Sequence, residues 1–262
     1  MTSDDAPMLS VLIAGATGWT GAPLAEAVRA ADDLELAGGI ARSGADFASV
    51  EAALAATEAD VLVDFTKPGV VRGHVDAALA AGLHVVVGTS GLTARDYEEI
   101  DVAARAAGRG VIAAGNYSVL AATLLHAATL AAGHVAHWEV IDYGSAGKSD
   151  VPSGTARELA ERLGAATPAD HDADLIGPPE ARGADVAGTR VHSLRLPGYA
   201  LSTDVILATA GERLVIRHEA GASADPYVAG TLMTIRRVGG VTGVLRGLDR
   251  LLFGKARRSG EV

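Results

Sequence analysis

Residues 9–21 read LSVLIAGATGWTG, a short apolar run rich in β-forming residues that gives way at once to glycines spaced three apart. Behind it, APLAEAVRAADD (residues 22–33) carries alanines and leucines at helical spacing, and Leu34–Ile40 returns to a strand pattern. Strand, glycine-rich turn, helix and second strand in that order imply a right-handed parallel crossover. Gly15, Gly18 and Gly21 let the backbone turn tightly and approach a pyrophosphate at the positive end of the following helix. A purely structural strand-to-helix turn also favours glycine, so the triplet points to a nucleotide only because of its βαβ setting.

Working outward, strand patterns recur at Val61–Phe65, His84–Val87 and Gly110–Ala113, with helical stretches at 45–56, 70–81 and 93–107 between them. Strands alternating with helices predict an open parallel sheet over residues 8 to 115. After Asn116 the rhythm changes. A helix over 118–132 leads to a strand at 136–143, a loop, and a helix from Ser153. Residues 189–195, 203–209 and 214–219 then mix apolar and polar positions in rough alternation, as half-buried antiparallel strands do. Residues 170–186 read as an irregular loop and the tail 227–253 as helical, interrupted by Gly239-Gly240. The expected class is α/β: a Rossmann-type parallel sheet domain, plus an α+β domain with a mixed, largely antiparallel sheet.

Composition narrows the function. Hydrophobic residues make up 49% and charged residues 21%, which suits a well-buried globular protein. A net charge of −10 argues against non-specific binding to nucleic acid or an anionic membrane. No apolar run reaches the ~20 residues of a membrane span. The acidic start MTSDDAPM lacks the basic flank of a signal peptide. A cytoplasmic location is expected. Cysteine is absent, so thiolate chemistry is out. No histidine or carboxylate spacing suits a metal; His126 and His218 read as packing or surface residues.

Three further segments carry candidate chemistry. Arg42 follows the second strand where an NAD site usually places an acid; its guanidinium suits a 2′-phosphate, though a solvated loop arginine is the plainer alternative. DFTKPG (64–69) and GTSG (88–91) follow strands at the carboxyl edge where open sheets bind ligands; Thr66 and Thr89 are either site residues or helix caps. In VIDYGSAGKSDVPSGTA (140–156), Ser153, Gly154 and Thr155 open a helix whose terminus would hold a carboxylate, with Lys148 adding charge. A capped helix beside an exposed lysine is the alternative there.

Taken together, GATGWTG, VDFTKPG, VVGTSGLT, AGNYSV, KSDVPSGTA, RGADVAGTRVHSLRLPG and GERLVIRHEA resemble the 4-hydroxy-tetrahydrodipicolinate (dihydrodipicolinate) reductase family nearly end to end. The resemblance implies a dinucleotide-binding domain over 1–117 and 231–262, and a substrate and oligomerisation domain over 118–230. It also implies a homotetramer and hydride transfer from NADPH, with NADH as the alternative cofactor, to a cyclic unsaturated imine carboxylate of the lysine and diaminopimelate pathway. By position it places Gly15, Thr17, Gly18 and Trp19 at the pyrophosphate and Arg42 at the adenosine ribose. Phe65, Thr66, Gly88 and Thr89 fall near the nicotinamide, with Ala114, Asn116 and Tyr117 closing the site. Lys148 matches the catalytic-loop lysine, and Ser153, Gly154 and Thr155 the grip on the substrate carboxylate.

The loop departs from the family pattern E-x-H-H-x-x-K-x-D-x-P-S-G-T. Gly144 stands in place of the proton-donating histidine, and Ser145 in place of the substrate-binding one. A positioned acid contributes roughly 100- to 10,000-fold. Lys148, Tyr143 or water is then left to deliver the proton. Reduction of a different cyclic imine, or a non-catalytic nucleotide-binding role, are the alternatives this departure opens.

Overall fold

The computed structural model describes residues 8–166 and 176–254. The chain divides into two compact units, Met1–Val119 with Ala224–Val262, and Leu120–Ser223.

The first unit is a six-stranded parallel sheet in the order β11-β5-β4-β3-β1-β2. Its strands are β1 (Leu9–Ala14), β2 (Leu34–Ile40), β3 (Val61–Asp64), β4 (His84–Val87), β5 (Gly110–Ala113) and β11 (Gly243–Arg246). Its helices are α1 (Gly21–Arg29), α2 (Val50–Ala56), α3 (Pro68–Ala80), α4 (Ala94–Ala107), α7 (Asp225–Val238) and α8 (Leu248–Phe253). Leu12, Leu62, Val85 and Val111 pack under α2, α3 and α4 with Val50, Val71, Val75 and Ile100. The alternate positions Val11, Ile13, Val63, Val86 and Ile112 are buried as well, together with Leu24 and Val28 of α1 and Ile235 and Val238 of α7. Helices on both faces are why these strands read as unbroken apolar runs. The order reverses between β1 and β3, so the carboxyl ends of these two strands flank the crevice where such sheets bind ligands.

Two expectations need correcting here. The helix expected over 45–56 begins at Val50, because Ser49 caps it by accepting from Ala52 N at 3.2 Å. The preceding residues fold back on β2 instead: Phe47 bridges to Ile40, and Asp46 accepts the Gly39 amide at 2.8 Å. The tail is not one helical stretch either. After Gly239-Gly240 it forms β11, parallel to β5, before α8. Four residues are too few to display a period, and the strand is bracketed by Gly243 and Gly247 at φ +87° and +95°.

The second unit is a mixed sheet in the order β10-β9-β6-β8-β7. It comprises β6 (His137–Gly144), β7 (Ala184–Val186), β8 (Thr189–Arg195), β9 (Leu201–Ala208) and β10 (Arg213–Ala220). Only the β6–β8 pair is parallel. Helices α5 (Val119–Ala132) and α6 (Gly154–Ala166) both pack on one face, where Leu125, Ala128, Leu159 and Leu163 meet Trp138, Val140, Val191, Val205 and Leu207. Strand β6 alternates strictly, with Trp138, Val140, Asp142 and Gly144 buried and the intervening residues less so. Part of the expected irregular loop is ordered: a 3₁₀ turn at Pro179–Arg182 leads into β7, while 170–175 lie outside the described residues.

Candidate functional site

The glycine turn connects β1 to α1. Gly15 has φ +87°, and a Cβ there would lie 2.2 Å from the Phe65 carbonyl oxygen; one on Gly21 would lie 2.0 Å from that of Gly15. The first glycine therefore makes the turn and the last lets the helix approach it. Gly18 donates its amide to Gly15 O at 2.8 Å. Thr20, preceding α1, makes no side-chain cap; in the first turn Ala22 donates its amide to Gly18 O at 3.0 Å and Pro23 has no N–H to give. Thr17, Gly18 and Trp19 are exposed along this turn, and the Trp19 ring stands edge-on to Tyr227 at 5.6 Å. These features fit a dinucleotide pyrophosphate: a cradle without Cβ atoms against a positive helix end. Arg42 is exposed just past the end of β2 and makes no ion pair among the described residues.

Thr66 and Thr89 are tied together by a carboxylate that sequence reasoning missed. Asp64, at the end of β3, is fully buried. Its Oδ1 accepts from Thr66 N at 3.0 Å, from Thr66 Oγ1 at 2.7 Å and from the Thr89 hydroxyl. His74 Nδ1 donates to Oδ2 at 2.6 Å. The Thr89 hydroxyl in turn accepts from Thr66 N at 2.6 Å. Burial pushes the Asp64 carboxyl up, but the His74, Thr89 and Thr66 hydrogen bonds outweigh it and hold the group below its ordinary range. Both threonine hydroxyls are thus engaged in fixing the carboxyl ends of β3 and β4. Phe65 packs its ring over Gly88, where a Cβ would fall 2.1 Å from Cε1, and edge-on to Tyr117 at 5.9 Å. Tyr117, 1% exposed, shares its O–H between Val87 O and Ile112 O. Ala114 N reaches Val87 O at 3.2 Å, and Asn116 accepts from Ser118 N at 2.8 Å. The first unit therefore gathers the expected nicotinamide-side residues on the carboxyl ends of β3, β4 and β5. A cavity of about 700 Å³ lies at the opposite, amino edge of this sheet, against Ser10, Asp60, His84 and Arg109; it is not the crevice at the glycine turn.

In the second unit, Asp142 organises the loop before α6. It is fully buried, accepting from Ser153 N at 2.9 Å, Ser153 Oγ at 2.7 Å, Ser193 Oγ at 3.1 Å and Arg195 Nη2 at 2.8 Å. Ser153 Oγ accepts from Ala156 N at 3.2 Å, which caps the helix. The Ser153 hydroxyl is therefore spent on shaping the turn, and Gly154 and Thr155, the first residues of α6, form its amino-terminal edge. Lys148 pairs with Asp150 at 2.7 Å; burial raises the Asp150 carboxyl, and the Lys148 ammonium overrides this and holds it low. Ser145 is exposed at the start of a turn in which Lys148 N donates to its carbonyl at 3.0 Å.

Tyr143 lies elsewhere. The alternation of β6 puts it on the sheet face opposite Asp142, Gly144 and α6. Its hydroxyl donates to Asp204 Oδ2 at 3.0 Å, and Arg217 pairs with the same carboxylate. Burial and the Asp204 charge push the phenol above its ordinary value, which makes it a poor acid. The structure removes Tyr143 from the loop that was expected to use it. Among the described residues no cluster of three or more His, Cys, Asp or Glu could hold a metal ion, and no helix is long and apolar enough to cross a membrane.

Two family models divide the chain between them: dihydrodipicolinate reductase, N-terminus, over residues 9–117, and dihydrodipicolinate reductase, C-terminus, over residues 117–252. The chain belongs to the dihydrodipicolinate reductase family. Its members are NAD(P)H-dependent oxidoreductases of lysine biosynthesis, and the resemblance read from the motifs is borne out. A 4-hydroxy-tetrahydrodipicolinate reductase of Mycolicibacterium smegmatis is 35% identical over 93% of this chain and 99% of its own. One of Beutenbergia cavernae is 38% identical over 93% and 98%. A dipicolinate-bound dihydrodipicolinate reductase of Paenisporosarcina sp. TG-14 shares the fold at a TM-score of 0.80 and 24% identity, covering 93% of this chain and 99% of that one. Reduction of an unrelated imine and a non-catalytic role are not favoured by these relatives.

Proposed function

We propose that this family member reduces the 4-hydroxy-tetrahydrodipicolinate-type substrate of lysine and diaminopimelate synthesis, with NADPH preferred over NADH, in the cytoplasm and as a homotetramer. The observation that carries the reading is the turn at Ser153–Thr155. Asp142 holds Ser153 through both its amide and its hydroxyl, so the first turn of α6 is fixed as a rigid cradle for a carboxylate.

A bound nicotinamide cofactor supplies a hydride. Gly15, Thr17, Gly18 and Trp19 hold its pyrophosphate, and Arg42, which has no carboxylate partner among the described residues, suits a 2′-phosphate. Phe65, Thr66, Gly88, Thr89, Ala114, Asn116 and Tyr117 frame the nicotinamide end, the threonines kept in place by Asp64. Gly154 and Thr155 receive a substrate carboxylate, and Ser145 borders them. Lys148 delivers the proton that completes the reduction: its ammonium can leave Asp150 for the substrate, whereas Tyr143 faces the other side of its sheet. The same face of that sheet, carrying Glu139, His192, Asp204 and Arg217, has no helix of its own unit packed on it among the described residues, which supports the tetramer reading.

The deciding experiment follows NADPH oxidation with enzymatically generated 4-hydroxy-tetrahydrodipicolinate beside a panel of other cyclic imines. Turnover confined to the panel, or absent throughout, would sink the reading. Light scattering in solution checks the tetramer.

A further inference from the structure

Arg195 ends β8 and occupies the space beside Gly144. A Cβ built on Gly144 would stand 3.1 Å from Cζ, Nε and Nη1 of its guanidinium. The side chain is only 13% exposed. Nη2 donates to Asp142 Oδ2 at 2.8 Å and to the Asp150 carbonyl at 2.7 Å; Nη1 donates to the Leu194 carbonyl at 2.8 Å. Nε is buried without a hydrogen-bond partner among the described residues.

These contacts form a continuous chain. Arg195 fixes Asp142, Asp142 fixes Ser153, and Ser153 caps the first turn of α6. The second Nη2 contact ties the far end of the loop, at Asp150, to the same guanidinium. Both contacts leave from one nitrogen, Nη2, while the other arm of the planar fork is held by the Leu194 carbonyl through Nη1. The loop that lacks imidazoles at 144 and 145 is therefore braced by a cation arriving from the neighbouring strand.

We propose that Arg195 is a positioning residue for the substrate carboxylate: it staples the 145–152 loop and the Ser153 turn to the end of β6, and its guanidinium crowds position 144, so that a side chain there would press on it. The proposal rests on the reductase reading, which supplies the dicarboxylate to be positioned. Its steric part has a direct consequence. Putting histidine at 144 brings its Cβ to 3.1 Å from the guanidinium, which must give way by a few tenths of an ångström to admit it.

The test uses the full chain as wild type, Arg195→Lys, Arg195→Ala, Arg195→Ser, Gly144→His and the double variant Gly144→His/Arg195→Ser. Calorimetry measures binding of dipicolinate as a probe dicarboxylate, kinetics separates KM for substrate from KM for NADPH, and thermal melting reports folding. Arg195→Ala should weaken dipicolinate binding and raise substrate KM by about tenfold or more, the weight of one charge-assisted hydrogen bond, while KM for NADPH stays put. Added guanidinium should recover part of that loss, and Arg195→Lys should fall between. Gly144→His should melt lower than wild type, and the same step made on an Arg195→Ser background should cost less than it does on wild type.

A brace with no part in binding would lower the melting point and leave dipicolinate affinity and substrate KM unchanged, which overturns the proposal. If Arg195→Ala does not fold, wild-type affinity in Arg195→Lys does the same. A Gly144→His protein as stable as wild type overturns the steric part. Wild type that binds dipicolinate without oxidising NADPH defeats the reductase reading alone, with the Arg195 variants still decided by affinity; wild type that fails to bind dipicolinate defeats both.

Discussion

Replacing Asp64 by asparagine tests the hub of the cofactor unit with little change of shape. Three donors converge on Oδ1, from Thr66 N, Thr66 Oγ1 and Thr89 Oγ1, so the carboxamide oxygen must stay on that side. The new NH₂ then faces His74 Nδ1, which can accept only by moving its proton to Nε2. Hydrogen bonds to a charged partner are worth about 1 kcal/mol more than neutral ones, so four weakened contacts cost roughly 4 kcal/mol. Relief of the burial that opposes the charge returns part of this, leaving a net loss of about 2 kcal/mol. For a chain of this size that is a drop of roughly 4–8 °C in Tm.

The pH dependence carries the sharper test. The folded carboxyl lies below its ordinary value, so its stabilising contribution is full above the unfolded pKa of about 3.9 and fades as pH falls through the folded one. Calorimetric melts of wild type and Asp64→Asn should show a constant gap from neutral pH down to about 5, narrowing only in acid below about 4. KM for NADPH should rise as the ends of β3 and β4 loosen. A gap that holds its full size at the most acidic pH where both proteins still fold would refute the assignment of the charge to Asp64.

Other substitutions probe the remaining parts. Gly21→Ala places a methyl 2.0 Å from the Gly15 carbonyl and should abolish NADPH binding by calorimetry, whether or not the fold survives by circular dichroism. Arg42→Ala should raise KM for NADPH by about tenfold or more and leave KM for NADH alone, as steady-state kinetics with both cofactors will show. Lys148→Ala should lower kcat by about 100-fold or more with NADPH affinity retained; equal losses in both would show the lysine to be misplaced. Tyr143→Phe should cost about 1 kcal/mol of stability through the lost Asp204 contact and leave the pH profile of kcat as it is.

The parallel sheet was legible because buried strands leave an apolar run and because a glycine triplet between strand and helix has few other causes. Strand β11 escaped notice: four residues following a helix and flanked by glycines display no period, and only its pairing with β5 makes it a strand. The candidate residues that were legible are those whose type signals chemistry on its own, glycines at a turn, a lysine in a loop, Ser-Gly-Thr at a helix start. Asp64, His74, Asp142 and Arg195 were not, since each acquires its meaning from a partner distant in sequence. Arg195 meets Asp142 across 53 positions, and His74 reaches Asp64 from within the following helix.

Tyr143 shows how a local reading fails by one residue. In the sequence it adjoins Gly144 and stands within five positions of Lys148, which makes it a natural substitute acid. A strand turns each neighbour to the opposite face, so Tyr143 shares its surroundings with Asp204 and Arg217, while Asp142 and Gly144 share theirs with Arg195 and Ser153. The loss of the imidazoles at 144 and 145 is therefore not compensated from within β6. What the strand offers the α6 side is a buried carboxylate and a bare α-carbon, and the cation that fills the resulting space comes from β8. We therefore place the proton chemistry beyond the end of β6, where the proposal assigns it to Lys148.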